Sequence, residues 1–323
     1  MDLHEPGPSP DVDPSPADHS SPASHAPEPP SGPNPEPPSG PAQDGGEADS
    51  PKATSRTGRN LPVAFGVSLL LGAFAILTLF TVKSTFLIMM GAAVAIGVWE
   101  LDRALRPRDV RLPLIPLYVG GTALWTCAYW LGYRPAFAAL GLTIVALFGW
   151  RLHGAAEGYL RDVTAAMFAF AWLPVAGGFV ALMLSQIDGA HRVFLFIVVT
   201  ICSDIGGYFA GILFGKHLLA PAISPKKTWE GLAGSVLACL AAGGVLLPVL
   251  LRHGHAWQGL LLGAAVVAVA TMGDMVESMI KRDLGIKDMG SLLPGHGGVL
   301  DRIDAMLLTA PVTWALLTAF LPH

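Results

Sequence analysis

The chain has 323 residues, of which 52% are hydrophobic and only 14% charged. Soluble domains carry roughly 25% charged residues, so this composition excludes an ordinary soluble enzyme. The net charge of −4 averages two unlike parts: residues 1–50 hold ten of the 24 acids and no Lys or Arg, while the remainder holds all 20 basic residues. Those basic residues are scattered between apolar segments, which argues against a nucleic-acid partner.

The first 50 residues also contain 14 of the 27 prolines. They include a near repeat, EPPSGPNP followed by EPPSGPAQ, at residues 28–43. With almost no aliphatic side chain to bury, residues 1–58 are expected to be a disordered, acidic, Pro-rich cytoplasmic tail. No basic start and no apolar core precede it, so a signal peptide is not expected.

From Leu61 onward the chain reads as an all-α, polytopic integral membrane protein. A spanning helix needs about 20 mainly apolar residues. Nine stretches qualify: 61–81, 84–104, 112–132, 135–151, 162–185, 191–213, 229–251, 256–280 and 303–321. Residues 59–323 form the membrane domain, with N-terminal spans over 61–200 and a catalytic part over 201–305. Cys127, Cys202 and Cys239 lie inside apolar runs without metal-ligand spacing and read as packing residues.

With the N-terminus in the cytoplasm, alternation puts sixteen Lys and Arg on the cytoplasmic side and four on the other. That asymmetry follows the positive-inside rule. The last two cytoplasmic loops, 214–228 and 281–302, then gather Lys, Asp, His and Gly, and any active site is expected there.

Ionised residues at membrane depth cost about 3 kcal/mol each, so those present ask for a reason. Asp204 stands in SDIGGY; it reads either as a group bonded to a neighbouring helix or as the wall of a hydrated cavity. Asp274, Glu277, Ser278 and Lys281 are spaced i, i+3, i+4, i+7 and share one helical face. That stripe is either an internal ion-pair ladder or a metal-holding face, oxygen ligands being suited to Mg²⁺. The segment SPKKTWEG brings Ser224, Lys226, Lys227 and Thr228 together. Its lysines are either interfacial anchors or phosphate-neutralising charges. Beyond them lies PGHGGVLDRID, where Gly295, Gly297 and Gly298 permit tight turns around His296. Asp301 and Asp304 follow at i, i+3; Asp304 is either a helix cap or part of the site. Carboxylates, cations and a Gly-rich loop in one cytoplasm-facing cavity suit a phosphorylated substrate and a divalent metal.

The run SMIKRDLGIKDMGSLLPGHGGVLDRID, Ser278 to Asp304, resembles the signature of phosphatidate cytidylyltransferases (CDP-diacylglycerol synthases). SDIGGYFAGILFGKHLLAPAISPKKTWEG, Ser203 to Gly231, is similar to the same family. Ala305 departs from the Ser that members often carry after the last Asp. The resemblance implies transfer of a cytidylyl group from CTP to phosphatidic acid, giving CDP-diacylglycerol and pyrophosphate for phospholipid biosynthesis. It implies Mg²⁺ held by Asp274 and Asp301, and CTP phosphates held by Lys226 and Lys227 with Ser224 and Thr228 beside them. Lys281, Arg282 and Lys287 would bind phosphatidate or the leaving pyrophosphate; Asp204, Asp288, His296, Arg302 and Asp304 are further candidates. K⁺, a homodimer and a multi-pass location in the cell membrane are expected with it. A phosphate monoester needs no general base at neutral pH, since its second pKa is about 6. His296→Ala is therefore expected to retain some activity, while Asp274→Ala and Asp301→Ala lose nearly all. The alternatives are a CTP-dependent polyprenol or phytol kinase, which would release CDP, and an ion-coupled transporter.

Overall fold

A computed structural model of the chain describes residues 61–153, 156–221, 223–292 and 297–321, with side chains from Leu70 onward. Among the described residues, ten α-helices follow one another. The first four are α1 (Leu61–Thr81), α2 (Lys83–Leu105), α3 (Leu114–Thr126) and α4 (Tyr133–Trp150); α3 runs on through a π turn, Cys127–Leu131. Next come α5 (Tyr159–Trp172), α6 (Pro174–Leu184) and α7 (Gly189–Phe214). A hairpin of β1 (Leu218–Ala220) and β2 (Ser224–Thr228) leads into α8 (Trp229–Leu250), α9 (Ala256–Leu284) and α10 (Leu300–Phe320).

Among the described residues, eight helical rods are long and apolar enough to cross a membrane, α5 and α6 forming one of them. With α1, each of the nine apolar stretches expected from the sequence falls on a helix. The outer surface is apolar: Leu142 is 71% and Val249 74% exposed. That suits hydrocarbon, which does not drive helices together, so close backbone packing must. A Cβ on Gly206 would lie 2.6 Å from the Gly234 carbonyl, which brings α7 and α8 into backbone contact. Gly243 and Gly259 do the same for α8 and α9, each occupying the space a Cβ on the other would need.

Three boundaries differ from the sequence reading. Span five breaks at Leu173, because Pro174 starts a new helix; the Trp125 indole donates to the Pro174 carbonyl at 2.7 Å. The ninth helix runs four residues past the expected end at 280, so Lys281 and Arg282 are helical rather than in a loop. The stop is Gly285, which has a φ of 71° and donates to the Arg282 carbonyl. The segment read as loop 214–228 is an antiparallel hairpin, with Leu218 opposite Thr228 and Ala220 opposite Ser224. This small sheet is an addition to an otherwise helical fold.

Candidate active site

The ends of α7, β2, α8, α9 and α10 enclose a cavity of about 590 Å³. On α7 it is lined by Ser203, Asp204, Gly207, Tyr208 and Gly211, positions that recur on one face of the helix. The hairpin and the start of α8 supply Lys226, Lys227 and Thr228. The α9 and α10 walls carry Thr271, Asp274, Asp301, Arg302 and Asp304. Eight of the sequence candidates thus meet in one place: Asp204, Lys226, Lys227, Thr228, Asp274, Asp301, Arg302 and Asp304.

Local chemistry explains how each is held. Thr228 is the N-cap of α8, its Oγ1 accepting the Gly231 N–H at 3.1 Å, so the two lysines before it are fixed relative to the helix start. Glu230, in the first turn of α8, accepts the Lys216 and His217 N–H groups at 3.1 and 3.2 Å and bonds the His217 ring at 2.6 Å. Those bonds close the base of the hairpin. Gly207 and Gly211 of α7 pack against Ser235, Thr228 and Gly231, which keeps the wall between α7 and α8 thin.

The polar stripe of α9 divides in two. Asp274 faces the cavity, where its Oδ2 lies 2.5 Å from Lys227 Nζ. One turn on, Glu277 and Lys281 turn toward α10. Lys281 Nζ is 2.8 Å from Glu277 Oε2 and 2.6 Å from Asp301 Oδ1. The ion-pair ladder, one of the two sequence alternatives, therefore occurs at Glu277 and Lys281, while Asp274 one turn earlier borders the cavity. Asp301 also accepts the Met289 N–H at 3.0 Å and the Gly298 N–H at 2.7 Å. It thereby fastens the segment before α10 to the helix itself. Asp204 makes no hydrogen bond or ion pair among the described residues and borders the cavity directly.

Other candidates lie elsewhere. Ser224 pairs with Ala220 in the hairpin and is not part of the cavity wall. Arg282, Lys287 and Asp288 are exposed at the end of α9 and just beyond it. His296 lies outside the described residues. Sequence reasoning missed Glu100, which is 1% exposed on α2 yet accepts the Val299 and Leu300 N–H groups at 3.1 and 2.8 Å. The available signal was its position: an acid inside an apolar span.

Among the described residues, no three His, Cys, Asp or Glu side chains form a metal-holding cluster. Mg²⁺ commonly takes one or two protein carboxylates and fills its shell with water and substrate phosphate oxygens. Asp274 fits that use, since Lys227 is its only partner among the described residues. Asp301 lines the same cavity with its lone pairs more fully engaged. Just behind it, the buried Glu277 Oε1 has no hydrogen-bond partner among the described residues.

The model of the Cytidylyltransferase family matches residues 63–320. The chain is 42% identical over 289 residues to a phosphatidate cytidylyltransferase of Mycobacterium leprae, covering 83% of this chain and 91% of that one. It is 40% identical over 278 residues to the protein of that name in Mycobacterium tuberculosis H37Rv, covering 82% and 84%. To that of Pseudomonas aeruginosa it is 35% identical over 277 residues, covering 80% and 93%. The helices are those of a multi-pass membrane protein, and the chain belongs to the cytidylyltransferase family.

Proposed function

We propose that this chain is a phosphatidate cytidylyltransferase acting at the cytoplasmic face of the cell membrane. One observation carries the reading: a single cavity at one end of an apolar bundle sets Lys226, Lys227 and Arg302 against Asp204, Asp274 and Asp301. A lipid phosphate can reach it from the bilayer and a triphosphate from water. The names of the relatives support this reading over a lipid kinase or a transporter.

A phosphate oxygen of phosphatidate forms the new bond to the α-phosphorus of CTP. The bond from that phosphorus to the β-bridging oxygen breaks, and pyrophosphate departs. The nucleophile is already ionised, so the protein's task is positioning and charge neutralisation. Lys226 and Lys227 neutralise the triphosphate, held in place by the Thr228 cap. Arg302 offers a fork suited to a phosphate. Lys281 orients Asp301 from behind, while Arg282 and Lys287 attract the anionic lipid headgroup from the surface. Asp274 and Asp301 would hold Mg²⁺, whose chemistry is to neutralise phosphate oxygens as charge shifts to the leaving group. K⁺ and a homodimer belong to the same reading through the family resemblance. The excess of basic residues at the cavity end supports a cytoplasmic orientation.

The test is incubation of the purified full chain with labelled CTP, phosphatidic acid and Mg²⁺. A lipid-soluble cytidine product with equimolar pyrophosphate is expected. CDP with a newly phosphorylated lipid would identify a kinase instead. Ion-driven uptake into proteoliposomes without CTP turnover would identify a transporter.

A further inference from the structure

Two buried carboxylates stand two residues apart near the end of α2, and they face different partners. Asp102 accepts the Leu112 N–H at 3.0 Å and pairs with Arg106 at 2.7 Å, all within the N-terminal part of the chain. Glu100 instead crosses 200 residues of sequence: Oε2 accepts the Leu300 N–H and Oε1 the Val299 N–H. These N–H groups open α10 and have no partner within the helix. A carboxylate there satisfies two donors and lies at the positive end of the helix dipole.

The fit around Glu100 is close on both sides. A Cβ on Gly290 would run into its carboxylate, and a Cβ on Gly298 would lie 2.7 Å from Oε2. Gly298 also donates to Asp301, and the next residue in the chain after Glu100's contact at Leu300 is Asp301 itself. Glu100 therefore fixes the backbone from which Asp301, Arg302 and Asp304 project into the cavity. Asp301 grips the same segment from the other side, through Met289 and Gly298.

We propose that Glu100 is a positioning residue for the cytidylyl transfer: its carboxylate, delivered by the second helix, sets the angle and register at which α10 presents Asp301 and Arg302. The inference rests on the activity proposed above. It gives the N-terminal half a direct part in the site, through hydrogen bonds rather than through substrate contact.

The test compares Glu100→Gln with Asp102→Asn in the full-length protein. Both remove one buried charge from the same helix, but only the first touches the α10 start. A Gln keeps the shape and can accept only one of the two N–H bonds. Glu100→Gln is expected to lower kcat about 10- to 100-fold, the usual scale for a charge-assisted hydrogen bond in a site. Hydrogen exchange of the 289–300 segment is expected to quicken with it. Asp102→Asn is expected to stay within about twofold of the parent in kcat per folded molecule. Gly290→Ala gives a second route, displacing the carboxylate from outside. It should reproduce the Glu100→Gln defect, and the double variant should be no worse than either alone. Parental kcat and unchanged exchange in Glu100→Gln, or an equal loss in Asp102→Asn, would overturn the proposal. Should the parent itself form no CDP-lipid, the activity reading falls; the exchange of 289–300 still reports whether Glu100 pins α10.

Discussion

Lys227 of β2 and Asp274 of α9 form an ion pair inside the cavity, with 2.5 Å between Nζ and Oδ2. Their side chains are 27% and 28% exposed, so each is open enough to change partners. Without substrate, each neutralises the other. Under the proposed function, a triphosphate arriving with a cation would give the ammonium a phosphate and the carboxylate a metal. The pair is thus a resting arrangement of the two groups assigned to opposite charges of the incoming complex.

From this follows the first prediction. Asp274→Asn keeps the shape and loses the charge, so kcat is expected to fall about 10³-fold. Raising Mg²⁺ should not restore it. Lys227→Ala removes a phosphate contact and should raise the KM for CTP about 10- to 100-fold. Steady-state kinetics over a range of CTP and Mg²⁺ separate the two. Equal kcat losses with unchanged KM in both variants would contradict the division of roles.

The Lys281 bridge makes a second prediction, about stability. Its ammonium sits between Glu277 and Asp301, both nearly buried. Lys281→Met leaves two carboxylates without their cation, and removing one partner of a buried pair costs about 3–5 kcal/mol. Thermal unfolding in detergent should show a large drop. Adding Glu277→Gln removes one of the stranded charges and should recover part of it. A Lys281→Met protein as stable as its parent would mean that the bridge is not formed in solution.

The helices were legible because a run of about 20 apolar residues has few other solutions. Their ends were less so. Hydropathy fades after residue 280, but Lys281-Arg282-Asp283-Leu284 still favours helix, and the conformation of Gly285 decides the stop. The hairpin was hidden because β1 is only three residues long and resembles a loop. Within the site, the shared face of Asp274 and Lys281 could be read from spacing alone. Which neighbour each would meet could not. Lys227 and Asp274 are 47 residues apart, and the glycine contacts between α8 and α9 set the offset that joins them. Glu100 was passed over because it closes an N-terminal span, and sequence distance gives no hint of α10.

Those glycine contacts yield a third prediction. Gly243→Ala forces α8 and α9 apart, since the new Cβ would collide with the Gly259 carbonyl. Overpacking of this kind costs about 1–3 kcal/mol. Activity should fall as well, because α8 begins at the Thr228 cap and α9 carries Asp274. Gly141→Ala is the control: on α4 it meets nothing within 4 Å. It should be neutral in both stability and turnover. Equal behaviour of the two variants in thermal unfolding would argue against close packing of α8 on α9.

The last prediction concerns which way the bundle faces. Lys216 lies beside the hairpin at the cavity end, and His253 lies in the short connection between α8 and α9; both are exposed. One membrane-spanning helix, α8, separates them, so they must be on opposite sides of the bilayer. The sixteen-to-four division of Lys and Arg puts Lys216 with the majority, which the positive-inside rule assigns to the cytoplasm. In a background with Cys127, Cys202 and Cys239 replaced by Ala, a membrane-impermeant maleimide should label His253→Cys in intact cells. It should label Lys216→Cys only after permeabilisation. The reverse pattern would place the cavity outside, away from cellular CTP and Mg²⁺, and with it the proposed reaction would lose its nucleotide supply.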